Sequence, residues 1–207
     1  VWAVYPDGNI NTTDDVPDVI CNSWGIPQGI FDDCDNTFWA AIDNVEAAGI
    51  VTVFAAGNEG PEAESLRNPA DRASSPLNAL SVGAVDPQTL AVADFSSRGP
   101  SSCDGVSIKP ELVAPGVGIY SSYKGGGYRL MSGSSMATPF VAGLVALMRQ
   151  YNPEATVEEI KNALVQAAND LGPVGEDNSY GYGVIDAARV LDFLPAPEMP
   201  NITILDH

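Results

Sequence analysis

Short apolar runs that alternate with helix-length segments constrain this chain more than any other feature of its sequence. Val19 to Ser23 and Ile50 to Ala55 read as strands, separated by a stretch in which Phe38, Trp39, Ile42 and Val45 recur at helical spacing. Asp35 is placed to cap that helix and Gly49 to end it. Ala79 to Val85 is a third strand, and Ile108 to Tyr128 is a Pro- and Gly-rich region with short extended pieces such as Gly118 to Ser121. A long helix follows over Ser135 to Tyr151, with Pro139 expected in its first turn, where the missing N–H has no partner to lose. Thr156-Val157-Glu158-Glu159 is a capping box that opens another helix, with Ile160, Ala163, Leu164 and Ala167 on one face. Asp186 to Leu194 reads as the last helix. Strands joined by connections of this length run parallel, because an antiparallel neighbour needs only a tight turn. The pattern therefore predicts an α/β fold of three layers, a mostly parallel sheet with helices on both faces.

Composition narrows the partners. Nine Lys and Arg against 27 Asp and Glu leave a formal charge of -18 on 207 residues, a field that repels phosphate backbones and anionic headgroups. Neither nucleic acid nor a membrane surface is expected as a partner. The longest apolar run, around Val141 to Met148, stops at Pro139 and Arg149, well short of the roughly 18 to 20 residues of a membrane span. The one histidine is His207, the last residue, which leaves residues 1 to 206 without an imidazole for acid/base work. The opening Val1-Trp2-Ala3-Val4-Tyr5-Pro6 has none of the marks of a signal peptide, so the chain is expected to begin inside a longer protein. From Pro195 to His207 it reads as a Pro-rich linker or the start of a following region. The three cysteines fit no zinc spacing. Cys21 lies in a strand-like run and reads as a buried thiol, while Cys34 and Cys103 lie in polar loops, where a secreted protein could bridge them.

In sheets of this kind function gathers at the carboxyl ends of the strands. Ala55-Ala56-Gly57-Asn58 follows the second strand, and its small residues would let a substrate backbone approach while the Asn58 amide points into a cleft. A polar turn is the plainer account of the same residues. Met131-Ser132-Gly133-Ser134-Ser135-Met136-Ala137-Thr138-Pro139 sets a serine at the mouth of a small-residue helix. There the unpaired N–H groups and the helix dipole stabilise negative charge on a nearby oxygen, as acyl transfer requires. Serine is also a preferred N-cap, and the residue alone does not separate the two roles.

Ser132-Gly133-Ser134-Ser135-Met136-Ala137-Thr138-Pro139 resembles the active-serine motif of subtilisin-like serine proteases. Ala55-Ala56-Gly57-Asn58 resembles the oxyanion segment of that family, and Asn22-Ser23-Trp24-Gly25 its substrate-binding strand end, in the same chain order. Phe95 to Pro100, Lys109 to Gly116 and Gly181 to Ala187 are similar to further family segments. With its Asn-Ser-Trp-Gly form, the chain is similar to the bacillopeptidase F-like branch. The resemblance implies a subtilisin-like fold with its N-terminal part missing, residues 1 to 194 being the C-terminal portion of a peptidase domain. It implies Ser135 as nucleophile and Asn58, with the Ser135 N–H, as oxyanion donors. It implies Ser23, Trp24 and Gly25 as a strand for protein or peptide substrates, and Ala55, Ala56, Gly57 and Ala70 as walls of a primary pocket. Small walls of that kind suit a large apolar side chain.

The chain departs from the pattern at Ser134, where the family commonly has Thr, and at Phe140, where it commonly has His. The family order is Asp, His, Ser, and no Asp-Thr-Gly or His-Gly-Thr-His occurs here. Asp7, Asp14 and Asp15 lie in a loop without that context. Without a base Ser135 is a weakly nucleophilic alcohol, so the chain alone is expected to be inactive and to need the missing part as its partner. The alternative is a non-catalytic peptide-binding module that keeps the cleft and has lost the acid/base pair. No cofactor is expected for catalysis. Structural calcium is compatible with acidic runs such as Asp32-Asp33 with Asp35, or Glu62 with Glu64, although neither has the spacing of a dedicated calcium loop. A secreted protein is expected.

Overall fold

A computed structural model of the chain describes residues 3–198 except 10, 13, 33, 75, 76 and 78. Trp2, Asp33, His207 and all of the expected linker beyond residue 198 lie outside the described residues. Four strands, β1 (Val19–Asn22), β2 (Val51–Ala55), β3 (Leu80–Val85) and β4 (Leu112–Pro115), form one parallel sheet in the order β1-β2-β3-β4. Val19 pairs with Val51, Val53 with Leu80, and Val82 with Leu112. Every residue of β2 and β3 is buried, which is why these strands read as continuous apolar runs rather than as alternation.

Helices cover both faces, as the sequence predicts. Val51, Val53, Leu80, Val82 and Ala84 pack on one face against α2 (Ser134–Tyr151) and α3 (Val157–Ala167) through Val141, Val145, Met148, Ile160 and Leu164. Phe54 and Ala56 turn to the other face and meet Ile42 of α1 (Trp39–Ala47) together with Leu66, Ala70 and Ala79. Each large aliphatic side chain buried in such a core contributes roughly 1.5–3 kcal/mol. Between β3 and β4 the Lys109-Pro110-Glu111 run places a buried ion pair. Glu111 accepts from the Lys109 ammonium, and its other oxygen accepts from both the Ser81 N–H and the Ser81 hydroxyl at 2.7 Å. Those bonds satisfy a carboxylate that would otherwise be costly to bury.

Several boundaries differ from the expectation. The first helix begins at Trp39 with no side-chain cap, and Asp35 instead accepts the Thr37 N–H at 2.9 Å in a turn before it. The Pro- and Gly-rich region contains β4 and then a hairpin, β5 (Ile119–Tyr123) with β6 (Gly127–Met131), which runs into the serine motif. Gly133 is the N-cap of α2, so Pro139 is its sixth residue and lies in the second turn. The last helix, α4 (Val190–Phe193), is shorter than expected, because Asp186 accepts the Ala188 and Arg189 N–H groups in a turn. Thr156 and Glu159 cap α3 reciprocally, as the sequence states. Among the described residues, no helix is long and apolar enough to cross a membrane.

Candidate active site

The start of α2 is pinned to the carboxyl ends of β1 and β2. Gly133 has φ 155°, a conformation that disfavours side chains, and its N–H donates to Gly116 at 2.8 Å. The next residue, Ser134, is fully buried and holds Asn58 in place. Its N–H and its hydroxyl both donate to Asn58 Oδ1, at 2.9 and 3.1 Å, and Ser134 Oγ accepts the Gly57 N–H at 3.2 Å. Two donors on one amide oxygen fix the orientation of that amide, so the Asn58 NH2 group faces away from Ser134. Among the described residues neither that NH2 group nor the Ser135 N–H has an acceptor. Two donors at a helix N-terminus are thus free for an incoming anion.

Ser135 and Ser23 exchange hydrogen bonds. Ser135 Oγ donates to the Ser23 carbonyl at 3.0 Å, and Ser23 Oγ donates to the Ser135 carbonyl at 2.9 Å. The second bond follows from Pro139. Ser135 O is the acceptor that the N–H four residues on would use, and proline has none, so the carbonyl is open to Ser23. The first bond leaves the Ser135 hydroxyl on a backbone oxygen, which accepts a hydrogen bond but does not carry a proton away. Asp7 and Asp15 are engaged in their own loop: Asp7 accepts from Asn9 N and Thr12 Oγ1, and Asp15 from Asp7 N. A cavity of about 320 Å³ opens at Ser135, lined also by Ile119, Met131, Met136 and Phe140.

The remaining expected site residues divide. Trp24 is 43% exposed beside the serine, edge-on to Phe38 and Phe54, with its indole N–H on Asn22 Oδ1 at 3.1 Å. Gly25 and Gly57 lie on the two segments that reach α2. Ala55, Ala56 and Ala70 are buried, and Ala56 and Ala70 pack in one cluster with Ile42, Phe54, Leu66 and Ala79. The sequence reading did not single out Glu59 and Arg67, an ion pair in which Arg67 lies against Gly25 and Gly57 and Glu59 against Gly57. No motif marks Arg67; only the fold brings it there. Cys34 and Cys103 are disulfide-bonded across 69 residues. Cys21 is exposed on the edge strand β1, not buried as its apolar neighbours suggested. Among the described residues no three His, Cys, Asp or Glu side chains are grouped to hold a metal ion, and Asp33 of the Asp32-Asp33 with Asp35 run lies outside the described residues.

Comparison with known proteins agrees with this geometry. The model of the subtilase family matches residues 2–183. Serine protease AprX of Bacillus subtilis (strain 168) is 36% identical over 167 residues, which cover 71% of this chain and 36% of AprX. Bacillopeptidase F of the same organism is 36% identical over 200 residues, covering 90% of this chain and 13% of that protein. The chain thus spans about a third or less of the length of either relative. Among solved structures, the prenylagaramide maturation protease PagA superposes with a TM-score of 0.66 at 26% identity, over 86% of this chain and 62% of its own. Since the family match extends over most of the chain, and the serine and asparagine that carry the resemblance meet through Ser134, the chain belongs to the subtilase family of serine proteases.

Proposed function

We propose that these residues form the nucleophile-bearing part of a secreted serine endopeptidase, in which Ser135 attacks and Asn58 and the Ser135 N–H receive the oxyanion. The observation that carries this reading is the orientation of Asn58 by Ser134, which aims a free amide NH2 group away from the core beside the serine. In the reaction, Ser135 Oγ bonds to the peptide carbonyl carbon while its proton passes to a base, and the carbonyl oxygen takes the charge. Collapse of that adduct expels the amine, protonated by the same base, and water then releases the acyl group from Ser135. Ser23, Trp24 and Gly25 pair with extended substrate as an added strand.

The base and the acid that orients it come, in this reading, from another segment of the same catalytic domain. Residues 1 to 206 hold no histidine, and the Ser135 hydroxyl rests on the Ser23 carbonyl, which favours a chain that is inactive alone. The disulfide between Cys34 and Cys103 supports an oxidising, extracellular setting. A fluorophosphonate probe tests the assignment. It is expected to label Ser135 in the complete protein and to leave the 207-residue chain unlabelled. Rapid labelling of the isolated chain would contradict the need for an external base. A complete protein that resists the probe yet binds peptides would instead be a peptide-binding module.

A further inference from the structure

Beyond β1 the chain pairs with Asn68 through Ile26, whose backbone exchanges hydrogen bonds with that residue at 2.8 and 3.0 Å. Both residues line a small cavity of about 10 Å³, room for about one water-sized particle. Asn68 is 7% exposed, and its side-chain Nδ2 donates to the Asp35 carbonyl at 2.6 Å. A carbonyl only accepts, so the nitrogen must face it and the amide cannot be turned over. The Asn68 Oδ1 atom is thereby left buried with no donor among the described residues. A buried acceptor in that state costs stability unless something occupies the cavity to meet it.

The other polar groups around the cavity are oxygens on fixed loops. Asp71, buried, lines it and is held in place by two hydroxyls: Ser102 donates to its Oδ2 at 3.2 Å, and Ser101 donates to its backbone carbonyl. Asp32 lines it as an exposed residue. Gln28 lines it too, and its Nε2 donates to the Glu64 carbonyl, which leaves Oε1 as a second amide acceptor. The disulfide between Cys34 and Cys103 ties the stretch that carries Asp32 to the stretch that carries Ser102, so the donors are assembled in advance. Among the described residues that line the cavity there is no Lys, Arg or His. A water would supply a donor but no charge. A cation matches both the amide oxygen and the two carboxylates, in a chain whose formal charge is -18.

We propose that this cavity is a calcium site, with Asn68 Oδ1 and the carboxylates of Asp71 and Asp32 as ligands and Gln28 Oε1 beside them. The donor set is oxygen alone, as a hard cation requires, and its mixture of carboxylate and amide suits calcium, which tolerates irregular coordination completed by water. It needs two carboxylates rather than three, and it draws on three separate stretches of chain instead of one acidic run. The ion pins residues 26 to 32 to Asn68 and Asp71, and so steadies the segment that follows Ser23, Trp24 and Gly25. It acts on the stability of the loops and does not depend on cleavage by Ser135.

The test is a calorimetric titration of calcium chloride into the complete protein, freed of metal with a chelator and carrying Ser135→Ala so that no self-cleavage intrudes. Asp32→Asn and Asp71→Asn are each expected to weaken one calcium equivalent per chain by about tenfold or more, because ligand charge sets the affinity of such sites. Glu62→Gln, which removes a carboxylate that does not line the cavity, is expected to leave every equivalent within about twofold. In thermal unfolding, the rise in Tm on adding calcium is expected to shrink in the two aspartate variants and to persist in Glu62→Gln. Equal calcium stoichiometry and affinity in the parent and in both aspartate variants, or no calcium binding at all, overturns the proposal and leaves a cavity that holds water. A loss in Glu62→Gln as large as in Asp32→Asn overturns it too, since general surface charge would then account for the effect. If Asp71→Asn does not fold, Asp32→Asn, made at an exposed side chain, decides alone.

Discussion

A single buried hydroxyl, that of Ser134, decides how the Asn58 amide is presented. It donates to Asn58 Oδ1 and accepts from Gly57 N, so Ser134→Ala removes one anchor of the amide and leaves the Gly57 N–H without its acceptor. In the complete protein Ser134→Ala is expected to lower kcat about tenfold with KM nearly unchanged, since only the transition state uses the anchored donor. Ser134→Thr, which keeps the hydroxyl, is expected to restore it. Asn58→Ala deletes the donor itself and is expected to cost about 10²–10³ in kcat, the loss seen for this donor in the family. Steady-state kinetics of the three variants checks the order, and a raised KM at constant kcat for Ser134→Ala would mean that Ser134 serves substrate binding instead. At this scale the sequence named Ser135 and Asn58 through their motifs. It noted Ser134 only as a conservative change, because burial and partner are not encoded in a residue's letter. Arg67 was invisible for the same reason, being 42 residues from Gly25 in the chain but packed against it.

Whole elements were legible where their signal is local. The capping box at Thr156 is a four-residue pattern, and α3 begins there. Thr156→Ala is expected to destabilise the folded protein by about 1 kcal/mol in urea unfolding. Hydrogen bonds from the Thr156 N–H and hydroxyl hold the Glu159 carboxyl below its ordinary 4.5. The unfolded chain then binds that proton more tightly than the folded one, so this contribution is present above pH 4.5 and lost as pH falls through the lower folded value. Asp86, held by the Gln88 N–H, Asp104, held by the Ser107 hydroxyl, and Asp186, held by the Asn169 amide, act with the same sign. The urea midpoint is expected to fall as the pH drops below 4.5, with a shallower slope in Glu159→Gln; an unchanged slope would count against the capping carboxylate. The hairpin of β5 and β6 and the strand β4 were less legible. Gly125, Gly126 and Gly127 mark a turn, but Tyr120, Ser122, Tyr128 and Leu130 are all exposed, so no alternation of buried and open residues distinguishes the strands from a loop. Pro139 was read by rule as a first-turn residue. The fold shows it a turn further in, tolerated because Ser23 takes up the carbonyl it frees.

Across the whole molecule, the side of α2 that does not meet the sheet stays open. Phe140, Gly143 and Leu147 line a cavity of about 750 Å³ with Pro115 and Val184, adjoining the one at Ser135, and Leu147 is 57% exposed. In the reading proposed above, this is a face that the rest of the catalytic domain covers. The 207-residue chain alone is therefore expected to bind a hydrophobic dye and to self-associate on sedimentation, and the complete protein to do neither. A dye-free, cooperative monomer from these residues would refute that. The sequence by itself determined the layered parallel fold, the serine and asparagine motifs and the lack of an internal imidazole, because each is set by periodicity, adjacency or composition. Only the tertiary structure decided that Ser134 orients Asn58, that Ser23 and Ser135 bond reciprocally, and that Glu59 and Arg67 stand against the glycine walls. These contacts join residues from 8 to 112 positions apart, and such distances are closed by the packing of strands and helices, which no local pattern reports.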